Sequence, residues 1–201
     1  MIDHSALKWG KARSGLLPVV IQDADTGRVL MLAYMNQEAL QRTLETRKVT
    51  FFSRSRGQLW EKGETSGNTL QLVSIVADCD GDAILIKALP HGPTCHKGTV
   101  SCFAGAESGL ESLGELVRII RSRARISVRG SYTRSLLEQG LQRQGAKLLE
   151  EAEEVFRAAA AEGPERTAEE AADLIYHLLV LLQGQEVELR QVCQVLRARR
   201  E

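Results

Sequence analysis

No apolar run in this sequence approaches the length of a membrane span. Net charge is missing as well: 26 basic and 26 acidic residues cancel. A broad nucleic-acid footprint normally needs a basic surface, so that class of partner is not expected. Cysteines are few, four in 201 residues. The opening Met1-Ile2-Asp3-His4 has neither the basic segment nor the apolar core of a signal peptide. The expectation is a cytoplasmic chain in a reducing compartment, where cysteines serve as ligands or bystanders rather than disulfides. No internal repeat is visible, and the length suits one large domain or two small ones.

Three of the four cysteines fall in one stretch, from Asp78 to Cys102. It opens Asp78-Cys79-Asp80-Gly81-Asp82, crosses an apolar run, and closes His91-Gly92-Pro93-Thr94-Cys95-His96 and then Ser101-Cys102. Side chains on an extended strand alternate between faces, so an extended segment would put the three aspartates on one side and Cys79 on the other. Hard carboxylates suit Mg²⁺ and soft thiolates suit Zn²⁺. Cys79, Cys95 and Cys102 together would give zinc three ligands and leave a fourth position open, the pattern of catalytic sites, where zinc turns bound water into hydroxide. A second account stays open. Asp-Gly clusters make turns, free cysteines are often buried small hydrophobes, and the ligand spacing matches no zinc-finger rule.

Around that stretch the first half reads as strands with one helix. Leu16 to Gln22 and Val29 to Met35 form a hairpin across Asp23-Ala24-Asp25-Thr26-Gly27. Asn36 caps a helix over Gln37 to Arg47. Val49 to Ser53, Leu59-Trp60, Leu70 to Ala77 and Ala83 to Leu89 are further strands. The predicted class is α+β, rich in antiparallel strands. Arg54 and Arg56 sit two apart and can share one face of an extended piece, where arginine forks suit phosphate or simply meet solvent. Glu64-Thr65-Ser66-Gly67-Asn68 is a polar loop, fit for ribose or phosphate or for no ligand at all.

Composition changes after the small, polar stretch Phe103 to Gly109, which predicts domains at 1–109 and 110–201. Beyond it the pattern is helical. Ser112 and Glu115 suggest a capping box. A long helix is predicted over Thr133 to Glu162, weakened at Gly140 and Gly145 and stopped by Gly163-Pro164. Helices over Ala168 to Leu182 and Gln185 to Arg199 complete an all-α bundle of four. Cys193 lies on the last, as packing or surface.

Two acidic stripes mark the bundle. Lys147, Glu150, Glu151 and Glu154 are helical neighbours, and Glu170, Asp173 and His177 line up on the next helix. Facing carboxylates repel unless cations sit between them, which is what a Mg²⁺ site for a polyphosphate requires. An exposed acidic face explains the same residues, and Thr167-Ala168-Glu169-Glu170 could spend Glu170 on a capping box.

The motifs resolve into two resemblances. Asp78-Cys79-Asp80-Gly81-Asp82, Gly92-Pro93-Thr94-Cys95-His96 and Ser101-Cys102-Phe103 resemble phosphoribosyl-AMP cyclohydrolase of histidine biosynthesis. So do Ser53-Arg54-Ser55-Arg56 and Leu59-Trp60-Glu61-Lys62-Gly63-Glu64-Thr65-Ser66-Gly67-Asn68. Glu151-x-x-Glu154 followed by Glu170-x-x-Asp173 resembles the all-α nucleotide pyrophosphohydrolases. Ser131-Tyr132-Thr133 and Ala172-Asp173-Leu174-Ile175-Tyr176-His177 match their phosphoribosyl-ATP branch. The whole chain is similar to the fusion of the two enzymes.

That resemblance implies two hydrolyses. The bundle would convert phosphoribosyl-ATP to phosphoribosyl-AMP and pyrophosphate. Mg²⁺ would sit on Glu151, Glu154, Glu170 and Asp173, with Glu150 beside them where it can turn sideways, and His177 would be structural. The first domain would open the adenine ring at N1–C6 with Zn²⁺ on Cys79, Cys95 and Cys102. There Mg²⁺ would sit on Asp78, Asp80 and Asp82. His96 would move protons, the role imidazole most often fills in catalysis, or else remain a loop residue. Arg54, Arg56, Trp60, Lys62, Glu64, Thr65, Ser66, Gly67 and Asn68 would contact substrate. The family pattern places the zinc site between two subunits, so a homodimer is expected. The base-deaminase signature H-x-E…P-C-x-x-C is absent. A metal-stabilised binding module, or a pyrophosphohydrolase acting on ordinary nucleotides, are the rival readings.

Overall fold

A computed structural model describes residues 7–11, 14–103, 105, 109–126 and 130–199. The opening tetrapeptide and most of the joint at 104–108 lie outside the described residues. The chain divides into two compact units, Met1–Gly114 and Glu115–Glu201. Among the described residues no helix is long and apolar enough to cross a membrane.

The first unit is built on a four-stranded sheet in the order β2-β1-β6-β5. Its strands are β1 (Leu17–Asp23), β2 (Val29–Met35), β5 (Leu70–Ala77) and β6 (Ile84–Pro90). The β1–β2 and β5–β6 pairs are antiparallel hairpins. The central pair β1–β6 is parallel, with Val19 opposite Ile84 and Ile21 opposite Ile86. The sheet is therefore mixed, although mostly antiparallel. Strict alternation along β1 buries Leu17, Val19, Ile21 and Asp23, as the two-residue period requires.

A second ribbon, β3 (Thr50–Ser53) with β4 (Gln58–Glu61), is joined to the first sheet through a bridge between Lys48 and Gln71. Helix α1 (Gln37–Thr46) is capped by Asn36, whose Oδ1 accepts from the Ala39 N–H at 2.8 Å. Its C-terminus turns out through Arg47 at φ 61°. Thr43 stitches α1 to β3: its hydroxyl donates to the Ala39 carbonyl and accepts from the Thr50 N–H at 2.9 Å. Phe51, fully buried, is the largest side chain of this core and packs its ring 5.1 Å from Trp60.

The second unit is helical. Its elements are all but the first turn of α2 (Glu111–Arg125), then α3 (Tyr132–Glu138), α4 (Gly140–Ala161), α5 (Pro164–Gly184) and α6 (Leu189–Ala198). The single helix expected over Thr133 to Glu162 is in fact two. Gly140 takes φ +78°, a left-handed conformation that ends one helix and starts the next. Pro164 does not merely stop a helix; it opens α5 at the first turn, where its missing N–H costs nothing. The Thr167 hydroxyl donates to the Gly163 carbonyl at 2.7 Å, so it forms no capping box and leaves Glu170 free. Ser112 likewise donates to the Gly109 carbonyl at 2.6 Å, and α2 starts one residue earlier than the expected cap. Glu188 and Gln191 make a reciprocal capping box that starts α6 later than expected. Ile120, Leu136, Leu179 and Val180 form the bundle's buried core.

Phe51→Ala should lower the stability of the sheet unit by roughly 3–5 kcal/mol, the range for removing a buried ring. Urea unfolding followed by tryptophan fluorescence reads this, because Trp60 loses its aromatic neighbour. A shift under about 1 kcal/mol would contradict the core assignment.

Candidate active sites

In the sheet unit the separate sequence motifs converge on one cleft of about 520 Å³. Arg56, Trp60, Lys62, Glu64, Thr65, Ser66 and Asn68 line one part of it. Pro93, Thr94, Cys95, His96, Gly98 and Cys102 line another, with Met31 completing the wall. Arg54 and Gly67 are not among the lining residues. Strand β3 ends at Ser53, so Arg54 and Arg56 lie on a turn and diverge rather than sharing a strand face. The Arg54 guanidinium sits 3.8 Å over the Tyr34 ring, while Arg56 reaches Glu64 at 3.9 Å.

The loop after β4 is held by close backbone approaches. Gly63 has φ +88°, and a Cβ there would fall 2.5 Å from the Asn68 backbone. Gly92 leaves room for the Asn68 side chain, which a Cβ would meet at 2.4 Å. Only glycine fits both places. Lys62, buried, donates from Nζ to the Asn68 carbonyl at 3.1 Å and faces the Cys102 and Cys95 thiols. Burial pushes its pKa down.

Cys95 and Cys102 act on one another directly. The Lys97 backbone N–H foremost, then the Thr99 hydroxyl, hold the Cys95 thiol below the usual range. Burial above all pushes Cys102 up. His96 is exposed, with Nδ1 4.0 Å from the Cys95 sulfur. The Thr94 hydroxyl is buried in the same wall with no hydrogen-bond partner. Two adjacent thiols suit a soft divalent cation. Cys79 is exposed on the β5–β6 connection. Among the described residues the three thiols do not gather within one chain. The chain therefore presents two of the three expected ligands together and the third elsewhere.

Asp78, Asp80 and Asp82 do gather, their oxygens all within 4.8 Å of one another. They do so by a turn, not by strand alternation. Asp78 Oδ1 accepts from the Asp82 and Ala83 N–H groups at 2.9 and 3.1 Å, and Gly81 takes φ +76°. The Lys11 ammonium bonds Asp80 and Asp82 and lowers the pKa of Asp80. Lys11 is the part of this cluster that sequence reading missed; nothing in its local pattern ties it to a turn some seventy positions on.

In the helical unit Glu151 and Glu154 of α4 meet Glu170 of α5, again within 4.8 Å. Glu151 and Glu170 are buried. Asp173 is exposed and outside this tight group, although its charge acts on Glu170 and His177. Glu150 turns aside, half exposed, to Lys147 at 2.9 Å. Cations surround the group: Lys147 on Glu151 at 2.8 Å, Arg157 on Glu154 at 3.2 Å, and Arg166 on Glu170. His177, buried, brings Nε2 to 3.5 Å from Glu151. Burial pushes its pKa down, with Glu151 opposing. Sequence reading missed Arg157 and Arg166, whose spacing to their partners is that of any exposed helical ion pair. The three carboxylates suit a hard divalent cation.

Two family models match the chain in succession: phosphoribosyl-AMP cyclohydrolase over residues 31–104 and phosphoribosyl-ATP pyrophosphohydrolase over residues 113–200. A protein of Shewanella oneidensis named histidine biosynthesis bifunctional protein HisIE is 49% identical over 199 residues, covering 99% of this chain and 93% of its own length. The Escherichia coli (strain K12) protein of the same name is 48% identical over 195 residues, covering 97% of this chain and 96% of that one. The Xylella fastidiosa (strain Temecula1) protein is 48% identical over 193 residues, with 96% and 92% covered.

Burial, ahead of Arg166's attraction, raises the pKa of Glu170. The folded chain then holds this proton more tightly than the unfolded one. The linked stability is present below the ordinary carboxylate pKa and is lost as pH rises through the raised value. Glu170→Gln should therefore melt higher than the native, metal-free protein at about pH 8, with the gap closing toward about pH 4. Scanning calorimetry in chelator checks this; a lower melting point at every pH would show that the Arg166 pair outweighs the burial.

Proposed function

The chain belongs to the bifunctional histidine-biosynthesis proteins, in which a phosphoribosyl-AMP cyclohydrolase is joined to a phosphoribosyl-ATP pyrophosphohydrolase, and on that premise we propose how its two units divide the chemistry. The helical unit takes phosphoribosyl-ATP first. Water adds at phosphorus, pyrophosphate leaves, and phosphoribosyl-AMP remains. The sheet unit then adds water at C6 of the adenine ring. The N1–C6 bond breaks and N1 takes up the proton.

The observation that carries the reading is the convergence of cyclohydrolase motif residues on one cleft. Arg56 and the loop Glu64–Asn68 stand opposite the thiol wall of Cys95 and Cys102. Arg56 offers a charged fork to the ribosyl phosphate. Trp60 offers an aromatic surface, and Thr65 and Ser66 offer hydroxyls to sugar oxygens. Lys62 offsets the negative charge of the thiolates from a buried position. His96, exposed on the rim, moves a proton between solvent and the opening ring. Cys95 and Cys102, with Cys79 from a second subunit, would hold Zn²⁺, which supplies Lewis acidity and readies water near neutral pH. The protein is thus proposed as a homodimer in the cytoplasm. Asp78, Asp80 and Asp82 would hold Mg²⁺ in place of the Lys11 ammonium.

In the helical unit Glu151, Glu154 and Glu170, with Asp173 beside them, would hold Mg²⁺, which supplies positive charge to the polyphosphate oxygens. Lys147, Arg157 and Arg166 already stand around the carboxylates. Once the carboxylates have other partners, these side chains are free to meet phosphate. His177 keeps Glu151 in place.

Incubating purified protein with phosphoribosyl-ATP, Mg²⁺ and Zn²⁺ should give phosphoribosyl-AMP and then the ring-opened product in sequence. Pyrophosphate release without ring opening in zinc-replete protein would defeat the sheet-unit reading. Glu154→Ala should remove the first step and leave ring opening of supplied phosphoribosyl-AMP intact.

The shared zinc site has its own test. Cys79→Ser and Cys102→Ser proteins should each lack zinc and ring opening. Mixed and reassembled, half the dimers pair unlike subunits, and each of these regains one intact site, so about a quarter of the native activity and zinc returns. A mixture as inactive as its components would refute sharing.

A further inference from the structure

The helical unit carries an aromatic cluster of which the carboxylate chemistry uses only His177. Tyr132, Tyr176 and His177 pack ring on ring. Tyr132 stacks on Tyr176 with centroids 6.3 Å apart and planes at 18°. His177 meets both edge-on, at 6.0 Å from Tyr132 and 5.1 Å from Tyr176. The two inner rings are well covered, but Tyr132 is 51% exposed. Its ring therefore offers solvent a large aromatic surface.

The cluster is fixed in place. Ser131 caps α3 by accepting from the Arg134 N–H, which sets Tyr132 at the first helical position. The Thr133 hydroxyl, fully buried, lies 2.9 Å from the Tyr176 hydroxyl. Arg134 ties the start of α3 to the end of α2 through the Ala124 carbonyl at 2.8 Å. A ligand that stacks on Tyr132 meets a ring already held, so little order is lost on binding.

The cluster also adjoins the acidic group. His177 is shared: its ring contacts Tyr132, and its Nε2 is 3.5 Å from Glu151. One ring contact and one polar contact thus separate the exposed aromatic surface from the carboxylates that face the phosphates. A nucleotide has two matching parts, a flat base and a phosphate chain.

Resting on the reading of this unit as a phosphoribosyl-ATP pyrophosphohydrolase, we infer that the exposed ring of Tyr132 is the stacking platform for the substrate's purine, held in place by Tyr176 and His177. Stacking acts on the base in ground state and transition state alike. It sets affinity and leaves the chemical step unchanged. It also lets the unit prefer a nucleotide over a bare polyphosphate, which has no aromatic part.

The test is the rate of pyrophosphate release from phosphoribosyl-ATP, with inorganic tripolyphosphate as a competing ligand. Tyr132→Ala should raise KM about ten- to a hundredfold, as loss of a base–aromatic stack does. The kcat should stay within about threefold and the tripolyphosphate inhibition constant should not move. Tyr132→Leu keeps apolar packing against the inner rings without a stacking face and should show the same KM rise. Tyr132→Phe, which restores the ring, should bring KM back to within about threefold of native. An unchanged KM in the alanine and leucine proteins overturns the inference and leaves the pyrophosphohydrolase reading standing. An equal rise in the tripolyphosphate constant overturns it too, by showing that the ring only supports the carboxylates. A native protein that releases no pyrophosphate defeats the reading of the unit, and this inference with it.

Discussion

Carboxylates brought together out of water lose hydration and repel one another. The pairing of α4 with α5 imposes both penalties on Glu151 and Glu170. A buried charge is tolerated only when it is paired. The surroundings reflect that rule: Lys147, Arg157 and Arg166 each take a carboxylate, and His177 stands against the same Glu151 oxygen as Lys147. Even so the raised pKa of Glu170 shows the pairing to be incomplete, since burial outweighs the nearby guanidinium. On the proposed reading a divalent cation would complete that pairing and release Lys147, Arg157 and Arg166 to a polyanion.

The sheet unit meets the same constraint with different chemistry. Its acidic turn is satisfied by the Lys11 ammonium and by backbone N–H groups on Asp78. Its thiols are balanced by Lys62 and by the amide and hydroxyl donors on Cys95. In each cluster the chain supplies a monovalent counter-charge to the groups that would hold metal. The difference lies in exposure. Lys11 and its aspartates are open to solvent, where such pairs contribute little. Lys62 is buried, its pKa lowered, and its loss would leave the amide and hydroxyl donors on Cys95 as the remaining counterweight to the paired sulfurs.

Much of this could be read from residue order, wherever a local signal decides structure. Asn36 announced the α1 cap, and the two apolar runs flanking Asp23 to Gly27 announced the β1–β2 hairpin. The motif residues around Trp60 and Cys95 were legible as candidates, though their meeting in one cleft was not. The failures share a cause: each depends on a partner distant in sequence or on one backbone angle. The parallel β1–β6 pair cannot be seen in either strand alone. Gly140 in a helical context lowers propensity by about 1 kcal/mol, which does not tell a weakened helix from a broken one; its positive φ decides. Pro164 carries equal weight as a stop and as a first residue, and only the extent of α5 chooses between them. The aspartates gathered as expected but by a turn, because Gly81 and the Asp78 cap favour a bend over an extended run.

The position of Cys79 links these points. A thiol on an exposed turn, apart from the adjacent Cys95 and Cys102, has no packing role that its surroundings would enforce. The turn that carries it is nevertheless built with care, by two backbone bonds to Asp78 and a third from the Lys8 N–H to the Gly81 carbonyl at 2.7 Å. Such ordering costs conformational entropy and returns little to the core of one chain. It would return something to the proposed dimer, because a ligand offered on a rigid turn loses little further freedom when a second subunit's thiols meet it. In that proposal the zinc site and the dimer would stabilise each other: metal affinity would depend on subunit concentration, and the dimer would tighten when metal is present.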